Sequence, residues 1–389
     1  MNSERTVFSQ ILDFIPKHQF RACVNRYSGN YRVKSFSCFD QYLTMAFAQL
    51  TYRESLRDIE TCLRALDEKL YRCGFRGKVS RNNLANANEK RDWRIYHDFA
   101  QALIKKARQL YADEDFGVTL KNTVYALDTT VIDLCLSLFP WARHRRHKSA
   151  VKLHTLMDMK GSIPTYISIT SGAVHEITVF RTIPLEPSAV YVMDKGYIDF
   201  ATLYSFSKSN SFFVIRAKKN TVYYRKCSHS IDKSTGLRSD QTIKLTGPKT
   251  SKLYPIPLRR ITFRDEEQQR TFVFLTNNFQ LDALIICQIY KLRWQIELFF
   301  KWIKQHLRIK SFFGTSINAV KTQIWIGISV YVLVAIIKKE LKLERSLHEI
   351  LQILSILLFE KTSLKQALTE IYYTFKEQPN YNKLSLFDL

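Results

Sequence analysis

Cysteine, chain-breaking residues, negative charge and long apolar runs are all scarce in this sequence, and each shortage excludes something. The cysteines, Cys23, Cys38, Cys62, Cys73, Cys135, Cys227 and Cys287, are odd in number, far apart and form no CxxC pair. That argues against a zinc site or a disulfide framework and for a reducing compartment. Eleven glycines and nine prolines in 389 residues, with 46% hydrophobic residues, exclude a disordered or low-complexity chain. The longest apolar run, Ile324 to Ile337, covers 14 residues and includes Gly327 and Ser329. A membrane span needs roughly 20, so this run reads as a buried helix and no membrane partner is expected. The opening MNSERTVFSQILDF lacks the apolar stretch of a signal peptide, which gives a cytoplasmic expectation.

Acidic residues are outnumbered. Fifty-nine Lys and Arg against 35 Asp and Glu leave +24 at pH 7. A polyanion is the natural partner of such a chain, and nucleic acid is the default, because neutralising phosphates releases counterions. A basic surface serving solubility or an anionic membrane is the alternative. The excess is spread over the whole length rather than gathered in a tail, as expected if DNA crosses several domains.

The length suggests two or three domains. Residues 1–118 read as helical, with apolar residues at helical spacing in Tyr42 to Leu50, Leu56 to Leu66 and Trp93 to Leu110. A polar turn with two glycines, CGFRGKVS, leads to Ser80, a candidate cap for a helix opening RNNLANANEKR. Arg81, Asn82, Asn83, Lys90 and Arg91 on that helix are candidate DNA contacts, presented as a helix-turn-helix presents them. A solvated polar face on an ordinary helical domain is the equal alternative. From about residue 122 the pattern becomes strand-like in 123–134, 151–159, 163–170, 189–194 and 212–217, with a helix at 200–209 and a Lys160–Gly161 turn. This is an α/β catalytic layer with a first part over 119–216. Residues 217–280 alternate as short strands and form a basic β-rich insertion. Helix returns at 281–345 as the second part of the layer, and 346–389 is a C-terminal helical segment.

Asp128 and Asp194 each close a strand-like apolar run, Asp194 just before Lys195–Gly196–Tyr197. A carboxylate at the end of a buried strand is costly unless a cation compensates it, and two on neighbouring strand ends suit Mg²⁺. For either acid alone, a strand-end turn residue is the more ordinary reading. On the helix that follows, a wheel at about 100° per residue puts Tyr290, Arg293, Glu297, Lys301 and Lys304 within an arc of roughly 80°. Leu292, Ile296, Phe299, Phe300, Ile303 and Leu307 lie on another face. One carboxylate among so many phosphate-seeking groups exceeds what ion pairing needs and suits a surface for phosphate and metal. Phosphodiester cleavage asks for such a set: two metal ions roughly 3.5–4 Å apart, acidic ligands to hold them, and cations to grip flanking phosphates.

These residues resemble the DDE transposases of bacterial insertion sequences, specifically the IS four family. Tyr290, Arg293, Glu297 and Lys304 match its Y-x2-R-x3-E-x6-K helix at every position. Asp194 in DKGY is similar to the segment around the family's second acid. Asp128 in ALDTTVIDL looks like the first, with FPWA and KSAVKLH after it, and Asp133 is the nearby alternative. SLRDIE with SRNNLANANEKRDWRIY resembles the preceding helical domain. The resemblance implies an RNase H-like mixed sheet with flanking helices, interrupted by the β-rich insertion. Asp128, Asp194 and Glu297 would be catalytic and bind two Mg²⁺, with Mn²⁺ as substitute, and Tyr290, Arg293 and Lys304 would contact the transposon end. Lys301 joins these by position on the wheel, and the loop Arg143 to Lys148 is a further phosphate candidate. Double-stranded DNA, as inverted terminal repeats and target, would be handled by a homodimer in a cut-and-paste reaction, near the nucleoid. His175–Glu176 stands where many relatives carry His-Asp. Trp294 and Trp302 are the aromatics that could stack a flipped base, though Trp302 falls on another face. A catalytically silent DNA-binding derivative and a nuclease of the same fold are the alternative functions.

Overall fold

A computed structural model describes residues 5–118, 120, 122–145, 148–266, 269–306 and 312–369. Helices at Cys38–Leu50, Arg81–Lys90 and Arg94–Leu110 dominate the N-terminal part. Their starts follow from the sequence. Ser37 and Asp40 form a reciprocal capping box, and the Ser80 side chain accepts from the Asn83 amide. Along Arg94–Leu110, Ile95, Tyr96, Phe99, Ala100, Leu103, Ile104 and Ala107 make one buried stripe. That stripe packs on the helix Ile317–Glu340.

Ile317–Glu340 is ten residues longer than the apolar run that announces it. It is long and apolar enough to cross a membrane, but 94% of its most apolar window is buried inside the protein. It is a core helix, and both Leu12–Phe14 and Leu347–Leu357 pack on it. The Val7 and Phe8 amides donate to the Glu360 and Leu358 carbonyls, at 3.0 and 2.8 Å. One hydrophobic core therefore runs from Val7 through the sheet to Leu368.

Among the described residues, ten strands form one mixed sheet. They are β1 (Val124–Leu134), β2 (Arg143–Arg145), β3 (Lys148–Asp158), β4 (Ile163–Ser171), β5 (Val190–Met193), β6 (Phe212–Arg216), β7 (Tyr223–Ser228), β8 (Leu237–Leu245), β9 (Leu258–Asp265) and β10 (Arg270–Thr276). Their order is β2-β3-β1-β5-β6-β10-β9-β8-β7, with β4 also on β3. β1, β3 and β4 run antiparallel, whereas β1, β5 and β6 are parallel. Strands buried on both faces should be apolar throughout, as Val124–Leu127 and Val190–Met193 are. The β3–β4 turn needs its glycine: Gly161 has φ +71°, and a Cβ there would sit 2.2 Å from the Tyr111 ring.

Residues 217–280 hold β7 to β10, and β10 pairs with β6, so these strands continue the central sheet. One expectation is corrected. The single helix expected after residue 283 is two, Ala283–Leu292 and Trp294–His306, broken at Arg293.

Candidate active site

Asp128 does not end its strand. β1 continues to Leu134 against β3, but its parallel neighbour β5 stops at Met193, opposite Leu127. The next residues in the two strands are Asp128 and Asp194, so both carboxylates emerge in register where the parallel pairing ends. Asp133 is exposed and lies five residues on, and odd spacing along a strand puts it on the other face. It is thereby removed as an alternative.

The two-helix segment crosses this point. Arg293, at the break, donates through Nη1 to Asp128 Oδ2 at 2.8 Å and through Nη2 to Glu297 Oε1. One turn earlier, the Tyr290 hydroxyl donates to Asp194 Oδ1 at 3.5 Å. Tyr290 is held by Phe274, with ring centroids 4.6 Å apart, and burial pushes its phenol upward. All three acids are thus tied to one helix junction. Burial pushes the Asp128 carboxyl up to about 6; the Thr129 amide and Arg293 oppose the shift, while Glu297 and Asp194 add to it. Burial opposes the Arg293 charge as well, but Asp128, Tyr290 and Glu297 outweigh it and hold the guanidinium above its ordinary value.

Among the described residues, no three His, Cys, Asp or Glu side chains converge closely enough to hold one ion. The Arg293 guanidinium stands between Asp128 and Glu297. The donor chemistry nevertheless fits a hard divalent cation: three carboxylates, of which Asp128 has its charged form disfavoured by burial and by two like charges, a cost that a bound cation would offset.

A network behind β1 was not read from the sequence. Thr129 Oγ1 lies 2.6 Å from the Tyr197 hydroxyl and 2.9 Å from His154 Nδ1, and His154 Nε2 lies 2.9 Å from Thr170 Oγ1. Burial, assisted by Lys152, brings His154 down to about 4, so the ring is neutral at pH 7. A chain from Tyr197 through Thr129 and His154 to Thr170 satisfies every group. It ties the DKGY turn to the residue after Asp128. Tyr197 and His154 lie inside the motifs DKGY and KSAVKLH, which are the signal that could have found them.

Other expected residues scatter. Lys304 is exposed, roughly 10 Å along the helix axis beyond Glu297. Lys301, also exposed, lines a different cleft of about 420 Å³ with Tyr111, Leu298 and Trp302. Trp302 is buried against Tyr331. Trp294 is 59% exposed at the mouth of a cleft of about 440 Å³, which also takes in Arg216, Arg270, Phe272 and Glu297. Arg216 and Arg270 are further cations that the wheel could not find, because they come from distant strands. Glu176 pairs with Lys152 at 3.7 Å. In the loop from Arg143 to Lys148, Arg146 and His147 lie outside the described residues.

The helix Arg81–Lys90 belongs to the helical layer, packed on Leu56–Arg64 and Ile317–Glu340. Arg81, Asn82 and Lys90 are exposed and Asn83 is half-buried. Arg91 is committed elsewhere: it donates to Ser37 O at 2.8 Å, to Gln41 Oε1 at 3.0 Å and to Phe36 O.

Residues 119–333 match a family described as a transposase DDE domain, and residues 3–76 match a domain of unknown function, DUF4372. Three similar proteins carry provisional transposase names. A Sinorhizobium fredii protein, y4zB, is 34% identical over 257 residues, 65% of this chain and 70% of its own. One for the insertion sequence element IS5377 of Geobacillus stearothermophilus is 30% identical over 209 residues, 53% and 54% of the two chains. One for the element IS4SA of a Synechocystis species is 24% identical over 365 residues, 90% and 98%.

Proposed function

This chain belongs to the transposase DDE domain family, an RNase H-like enzyme acting on DNA, and we propose that it cuts and rejoins the ends of an insertion sequence with Asp128, Asp194 and Glu297. The observation that carries the reading is their joint attachment to the Tyr290–Arg293 junction, with the two aspartates directly following Leu127 and Met193, the last paired residues of adjacent parallel strands.

Family members depend on a divalent metal. The three carboxylates would hold it here as two Mg²⁺, with Mn²⁺ able to substitute. When bound, the metal activates the attacking oxygen and stabilises the leaving one. The protein supplies the rest. β1 and β5 fix the two aspartates on rigid elements, and the Thr129–His154 network locks the strand behind them. Arg293 and Tyr290 would grip a phosphate of the cleaved strand, and Lys304 one further along. Arg216 and Arg270, in the cleft beside Glu297, would guide the same strand. Arg81, Asn82, Asn83 and Lys90 would read or clamp duplex DNA from the helical N-terminal region, approximately 1–118. Both ends of the element would be held by a homodimer.

The test is the full chain with Mg²⁺ and a duplex carrying the inverted repeats that flank its gene. Joined products indicate cut-and-paste transposition. Cleaved but unjoined ends indicate a nuclease, and binding without cleavage in Mg²⁺ or Mn²⁺ indicates a silent DNA-binding protein.

A further inference from the structure

The residues expected to grip DNA are engaged with the acids expected to grip metal. Arg293 uses one edge of its guanidinium on Asp128 and the other on Glu297, and Tyr290 reaches Asp194. We infer that Tyr290 and Arg293 compete with the divalent cation for the three carboxylates and are handed to a DNA phosphate when it binds, so that metal and DNA bind cooperatively through these side chains. This rests on the metal-site reading proposed above.

Three features argue for exchange rather than a permanent ion pair. First, the contested oxygen is specific. Asp128 Oδ1 accepts from the Thr129 amide at 2.8 Å, which anchors the carboxylate whatever else happens, while Oδ2 faces Arg293. A cation shared between Asp128 and Glu297 must take the place of the guanidinium. Second, among the described residues, Arg293 Nε is buried without a hydrogen-bond partner. The fork has donor capacity unused, which a phosphate oxygen could satisfy. Third, Arg293 lies at the break between two helices, where backbone bonds run Arg293 to Tyr290 and Ile296 to Arg293. The side chain can move there without unwinding either helix. A buried guanidinium that loses both carboxylates needs another anion. The phosphate is that anion, and reciprocity follows: whatever metal does for DNA affinity, DNA does for metal affinity.

The test uses Mn²⁺ as probe, with free ion followed by electron paramagnetic resonance during titration into the full chain. Arg293→Lys keeps the charge and loses the fork. It should bind Mn²⁺ without DNA more tightly than wild type, by a factor of about ten. A purely Coulombic role predicts no change, so equal or weaker binding overturns the inference. In wild type, a mixed-sequence duplex should tighten Mn²⁺ binding, and the gain should disappear in Arg293→Lys. If the duplex leaves wild-type Mn²⁺ affinity unchanged, the coupling is refuted whether or not the variant folds. Asp194→Asn separates the premises. Wild-type binding that is absent, or that survives Asp194→Asn undiminished, overturns the metal-site reading itself. Binding lost in Asp194→Asn but not tightened in Arg293→Lys overturns only the exchange.

Discussion

Replacing His154 with glutamine should flatten the acid side of the stability profile. The imidazole is 1% exposed and bonded at both nitrogens to threonine hydroxyls. Burial and Lys152 lower it from 6.5 to about 4. Because the folded value is depressed, the unfolded chain binds the proton more readily. The stabilisation is therefore complete above pH 6.5 and is lost as pH falls towards 4. At about 1.36 kcal/mol per unit, the loss by pH 4 amounts to about 3 kcal/mol. Urea unfolding at intervals from pH 7 to pH 4 measures it. Both proteins weaken as carboxylates titrate, so the quantity that matters is the difference between their slopes. Wild type should lose about 3 kcal/mol more than His154→Gln across this window. Parallel profiles would show that His154 is not held neutral, and the account of the network behind β1 would fail.

Two further predictions separate structural cations from DNA-binding ones. Arg259 is buried against Asp240 at 2.7 Å and also donates to Asn278 O; Arg259→Ala should cost about 3–5 kcal/mol in denaturant unfolding, and a loss below 1 kcal/mol, at the level of an exposed pair, would contradict the burial. Arg91→Ala should destabilise by roughly 2 kcal/mol. Lys90→Ala should leave stability unchanged and instead reduce the salt dependence of duplex binding by about one unit of slope. The reverse pattern would exchange their roles.

How far the sequence carried these conclusions depended on range. β1, β3, β4 and β5 were legible because their apolar runs and the Lys160–Gly161 turn are local features. The buried helix at 317–340 was legible from its apolar run alone. The pairing of β10 with β6 was not, because it joins residues some 60 positions apart and alternation carries no information about partners. The break at Arg293 was equally hidden, since neither glycine nor proline marks it and both flanks favour helix. Lys301 shares one helix with Glu297, and it lines another cleft because it stands a turn further along, a displacement that a wheel does not show. Asp128 was placed at a strand end because its apolar run stops there, whereas it is the neighbouring strand that stops. Arg91 looked like a DNA contact because sequence shows a charge but not the carbonyls it already serves.

The central claim is that three acids at one helix junction perform the chemistry. Strand cleavage of a terminal-repeat duplex in Mg²⁺, measured for wild type, Asp128→Asn, Asp194→Asn and Glu297→Gln with duplex binding recorded alongside, tests it directly. The account predicts binding in all four and cleavage in wild type alone. Cleavage that survives any one of the three substitutions undiminished would contradict it.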